Sequence, residues 1–110
     1  QDVALLDVVR GINMFKKVNV PILGIVENMS FFQCPHCGER TDIFSHGGGA
    51  AAAEKQDVPF LGELPIDPKI RAGGDSGTPI VVEDLKSPQS KIFMEIAGRL
   101  AAKISSLDKC

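Results

Sequence analysis

VPILGIVENM, residues 20 to 29, carries no charge from Val20 through Val26. Pro21 has no amide proton and closes off a helix before it. A run this apolar lacks the in-out alternation of a half-exposed strand and reads as one buried on both faces, the pattern of a parallel sheet. VPFLGELPID, residues 58 to 67, repeats it, with VPFLG answering VPILG. Successive parallel strands need a helical crossover between them. A helix-then-strand unit therefore occurs twice, and the fold class expected is α/β: a mostly parallel sheet flanked by helices.

The helices follow from period. Leu5, Val8, Val9, Ile12, Phe15 and Val18 recur at helical spacing, which predicts a helix from Asp2 to about Lys17 with its apolar stripe on a core. HGGGAAAAEKQ gives a glycine-rich entry to an alanine-rich helix. A helical turn is expected at Asp67 to Ala72, then a loop, then a short apolar segment at Pro79 to Val82. Ile92, Phe93, Ile96, Ala97, Leu100, Ile104 and Leu107 mark a last helix from about Pro88 to Ser106, capped by Ser87.

Composition narrows the function. At 110 residues, 44% hydrophobic and 24% charged, the chain fits one globular domain. A fold of that size buries roughly two thirds of its unfolded surface, so it has no need of a metal or disulfide merely to fold. A formal charge of −2 with scattered basic residues leaves no footprint for nucleic acid. No apolar stretch reaches the roughly 18 to 20 residues of a membrane span. Three cysteines, only two of them close together, suit a reducing compartment, and the expected location is cytoplasmic. Gln1 already stands inside the first helical pattern, so the chain is expected to be the C-terminal part of something longer.

Ligands of open α/β sheets bind beyond the carboxyl ends of the strands. Those positions are expected at Glu27, Asn28 and Met29, and at Pro65, Ile66 and Asp67. Asn28 offers the paired donor and acceptor that reads a heterocyclic base, which Pro65 would help to frame. Its bland alternative is an asparagine that caps or turns the chain.

FFQCPHCGER, residues 31 to 40, holds the chemistry. Thiolates two residues apart can grip one metal ion or cluster iron, because the turn between them points both sulfurs the same way. Pro35 fixes a backbone dihedral, and Gly38 permits a tight turn that aims amides at the sulfurs. Cys34 and Cys37 supply two ligands where zinc and the common clusters take four. Cys110, His36 or His46 could add to the set, but two copies of the pair in a two-fold dimer complete it with no extra parts. A disulfide-exchange centre, a structural zinc clip and inert thiols are the rivals. Two decoys are set aside. GGDSGTP, residues 73 to 79, lacks the partners that would make Ser76 a nucleophile. Gly47 to Gly49 lack the Lys-Ser or Lys-Thr of a phosphate loop and read as a hinge positioning the 31–46 cysteine loop.

Taken together, QDVALLDVVRGINMF, VPILGIVENMSFFQCPHCG, LGELPIDPKIR and GGDSGTPIV resemble the C-terminal portion of the Mrp/ApbC family, the deviant Walker A P-loop ATPases that carry iron-sulfur clusters. The resemblance spans about residues 1 to 83. It implies a P-loop NTPase-type layered fold related to MinD, a homodimer, and a [4Fe-4S] cluster bridging Cys34 and Cys37 of two subunits for delivery to recipient apo iron-sulfur proteins. Zinc could substitute. The resemblance also implies that Asn28 reads adenine while Pro65 to Asp67 close over the base, with ATP bound by the full-length parent. No Gly-Lys-Gly-Gly-Val-Gly-Lys type loop occurs in this chain, so hydrolysis by it alone is not expected.

Overall fold

The computed structural model describes residues 1–107; Cys110 lies outside them. Eight elements follow one another: α1 (Asp2–Lys17), β1 (Ile25–Gln33), β2 (Arg40–Thr41), α2 (Gly48–Lys55), β3 (Phe60–Pro65), α3 (Pro68–Ser76), α4 (Ile80–Glu83) and α5 (Pro88–Leu107). The sheet order is β2-β1-β3. β1 and β3 run parallel, Ile25 beside Phe60 and Phe31 beside Pro65, while β2 turns back antiparallel on Phe32 and Gln33. The α/β class expected from the sequence is what forms.

α2 packs on β1 and β3, α5 packs on β3, and α1 leans on α2. The core is correspondingly thin: Ile12, Phe31, Ala52, Ala53, Leu61, Leu64 and Ile80. Two expectations fall here. β1 is not buried on both faces, since Val26 is 41% and Met29 55% exposed. The α1 stripe is only partly covered: Ile12 is buried, but Val8, Phe15 and Val18 are exposed, because α1 meets α2 alone among the described elements.

β1 also begins later and runs further than its apolar pattern. VPILG stays outside the strand, with Ile25 N–H donating to the Pro59 carbonyl at 2.8 Å. Glu27, Asn28 and Met29 therefore sit inside β1 rather than beyond its end. Four steps along β1, from Glu27 to Phe31, match two along β3, from Glu63 to Pro65, and within that shift Met29 takes a left-handed φ of +54°.

Later segments differ in detail. α3 continues through Gly73 and Gly74 to Ser76, whose hydroxyl donates to the Gly73 carbonyl; it stops at Gly77, in the left-handed conformation. Asp67 caps its start by accepting from the Lys69 amide at 2.8 Å. Ile80–Glu83 forms one helical turn, and the buried Ser90 hydroxyl lies 3.0 Å from the Ile80 carbonyl and 2.6 Å from that of Asp84. Ser87 caps α5 as expected, accepting from the Ser90 amide at 3.1 Å.

Candidate functional site

The two thiols stand at the tip of the β1–β2 hairpin. Cys34 N–H donates to the Glu39 carbonyl at 2.9 Å, and Gly38 N–H donates to the Cys34 carbonyl at 2.8 Å. Gly38 takes a φ of +75°, which glycine adopts without strain. Gln33 reinforces the turn from outside, its Nε2 donating to the Gly38 carbonyl at 3.2 Å. Both cysteines are free, Cys34 half-buried and Cys37 exposed.

Hydrogen bonds from the Cys37 amide, then the His36 amide and the Cys37 thiol, hold the Cys34 pKa below its ordinary value, against the opposing effect of burial. This is a turn that favours a thiolate, the form in which sulfur binds metal. Among the described residues no cluster of three or more His, Cys, Asp or Glu side chains is placed to hold a metal ion. Among those residues the paired donors are two soft sulfurs, which fits half of a tetrathiolate shell.

Asn28 stands apart from the other residues expected around a base. Its Oδ1 accepts from the Met29 amide at 2.9 Å, so the side chain also turns the chain at the bulge. It lines a cavity of about 170 Å³ with Glu27, Met29, Ser30 and Phe44. Pro65, the buried last residue of β3, and Asp67 line a separate niche with Phe31 and Gln89. Asp67 also borders a larger cleft of about 770 Å³ whose wall includes Cys34, Lys69 and Lys86. The Gly47–Gly49 run is not a hinge. Gly47 caps α2, Gly48 and Gly49 form its first turn, and the Gly49 amide donates to Glu27 Oε1 at 2.8 Å.

A polar chain beneath the hairpin is absent from the sequence reading. Arg40 Nη1 and Nη2 donate to Glu63 Oε1 and Oε2 at 2.8 and 3.4 Å, and Nε donates to Asp42 at 2.9 Å. Ser30 Oγ lies 2.7 Å from Glu63 Oε2 and also contacts Glu27, so its one proton serves the two carboxylates by turns. The hydrogen bonds to Glu63 and then Asp42 raise the pKa of Arg40. The available signal is a glutamate inside each apolar strand run, since a carboxylate there demands a donor.

A parallel strand pair flanked by helices, with a pair of free thiols on a hairpin at its end, defines an α/β protein with a paired-cysteine turn. The family model described as NUBPL iron-transfer P-loop NTPase, of the ParA group, matches residues 1–101, and the chain belongs to that family. It is 52% identical over 108 residues to the iron-sulfur cluster transfer protein NUBPL of Dictyostelium discoideum, covering 98% of this chain and 33% of that protein. It is 50% identical over 107 residues to an iron-sulfur cluster carrier protein of Pyrococcus abyssi, covering 97% and 36%. The cell division ATPase MinD of Pyrococcus furiosus superposes with a TM-score of 0.61 at 30% identity, over 94% of this chain and 38% of that one. The chain spans about a third of the length of the curated relatives it matches. The resemblance read from the sequence is borne out. No helix of the described residues is long and apolar enough to cross a membrane.

Proposed function

We propose that this chain supplies the cluster-bearing turn of an iron-sulfur cluster carrier. Cys34 and Cys37 of two copies hold one [4Fe-4S] cluster, the cargo, for delivery to apo iron-sulfur proteins. The observation that carries this reading is the hairpin tip, where two free thiols separated by two residues share one hydrogen-bonded turn, Cys34 half-buried and Cys37 exposed. Two thiolates fill half of a four-ligand shell, so a second copy is the economical source of the rest. The names of the transfer and carrier proteins it resembles support the same cargo.

Delivery is ligand exchange. A thiolate of the acceptor bonds to a cluster iron as a Cys34 or Cys37 thiolate leaves it; the iron and sulfide pass over together, and no electron is gained or lost. Free thiols suit a reducing compartment such as the cytoplasm. ATP is handled by the full-length parent, where Asn28 meets the edge of the base from its own cavity, and Pro65 and Asp67, which line a separate niche in this chain, contact it from another side. This chain alone hydrolyses none.

Anaerobic reconstitution with iron and sulfide tests the proposal. It predicts about two irons per chain with visible cluster absorbance, lost in Cys34→Ser and Cys37→Ser. Equal loading of the double serine variant overturns it. Zinc at about one per two chains, in protein purified without added metal, supports the rival reading of a zinc-clipped dimer without transfer.

A further inference from the structure

β2 is two residues long and makes two pairs with β1, too short a ladder to fix the hairpin on the sheet by itself. Its first residue, Arg40, reaches across β1 to β3. The guanidinium passes 4.2 Å from the centroid of the Phe31 ring and ends in a two-pronged grip on Glu63. Asp42 and His46, further along the same loop, also contact Arg40, at Nε and Nη2, at 2.9 and 3.2 Å. Glu63 is in turn tied through Ser30 and Glu27 to the Gly49 amide of α2. The hairpin that carries Cys34 and Cys37 is thereby tied to both strands and to α2 through one planar fork.

Resting on the cluster-carrier reading, we propose that Arg40 is a positioning residue for cluster handling: its fork on Glu63 sets the angle at which the Cys34–Cys37 turn stands on the sheet. Lysine keeps the charge but has neither the planar fork nor the ring stacking, so it cannot substitute. Two turns that must face each other across one cluster tolerate little swing, because each iron–sulfur bond has a fixed length and direction. A freed hairpin gives up the cluster sooner.

The test uses the full chain as wild type, Arg40→Lys, Glu63→Gln, and the control Arg71→Lys, which alters the exposed Arg71–Asp75 pair on α3. Hydrogen exchange of the 31–41 segment without cluster reads the fork directly. It is expected to quicken about tenfold in Arg40→Lys and Glu63→Gln, with α5 unchanged and the control like wild type. After reconstitution, the rate of cluster loss to a chelator is expected to rise about tenfold in the same two variants, with an altered visible circular dichroism of the cluster. Unchanged hairpin exchange overturns the proposal. So does quickened exchange with unchanged cluster loss and spectrum, which leaves Arg40 a purely structural residue. Wild type that takes up no cluster, while hairpin exchange still responds to Arg40, sinks the carrier reading and the positioning role with it but leaves the fork standing.

Discussion

The Cys34 carbonyl accepts the Gly38 amide at 2.8 Å, closing a turn in which Gly38 holds a φ of +75°. No atom lies within 4 Å of a Cβ built there, so Gly38→Ala brings backbone strain without a clash. It is expected to cost about 1 kcal/mol, read as a lower urea midpoint. An unchanged midpoint contradicts this turn geometry.

Arg40 first, and Ser30 with it, hold the Glu63 carboxyl below its ordinary value of 4.5 against the opposing effect of partial burial. Arg40 also lowers Asp42. Between the ordinary and the depressed values the unfolded chain binds more protons than the folded one. Their contribution is therefore complete above the ordinary values and is lost as the pH falls through the depressed ones. Urea unfolding between about pH 7 and about pH 3 is expected to show a shallower acid loss in Glu63→Gln than in wild type. Equal slopes contradict the Arg40–Glu63 pairing.

Ser90 is fully buried, its hydroxyl between the Ile80 and Asp84 carbonyls and in contact with Ser87. Ser90→Ala removes this buried donor from carbonyls that keep the Asp84 and Ser87 amides, and is expected to destabilise the chain by about 1 kcal/mol. A change under about 0.5 kcal/mol in urea unfolding means water replaces the hydroxyl.

The same residue shows why part of the fold was not legible in the sequence. α1 and α5 were readable because their apolar residues recur at one local period, and Ser87 because a cap acts within one turn. Ile80 to Val82 are β-branched and read simply as an apolar segment; they wind into a turn closed by amides on the Pro79 and Ile80 carbonyls, and Ser90, on another element, donates to the Ile80 carbonyl as well. The VPILG and VPFLG match was sound as composition and misleading as alignment. Ile25 pairs with Phe60, whereas aligned repeats would set it beside Glu63. The cysteine turn itself was readable because it lies in five consecutive residues. Its anchorage was not, since Arg40 and Glu63 meet only after β1 and β3 have paired.

Asp67 joins α3 to α5, capping the Lys69 amide and accepting from Gln89 Nε2. Asp67→Ala is expected to cost about 1 kcal/mol, while Asp67→Asn, which keeps a capping oxygen, recovers most of it. Urea unfolding of the three forms checks this. An alanine variant as stable as wild type contradicts the cap.

The central claim is that one copy offers half a coordination shell. Native mass spectrometry of the anaerobically reconstituted chain tests it most directly, by weighing protein and cargo together. The account predicts a two-chain species carrying one four-iron, four-sulfide cluster, absent when Cys34 and Cys37 are both serine. A single chain carrying the complete cluster would contradict it.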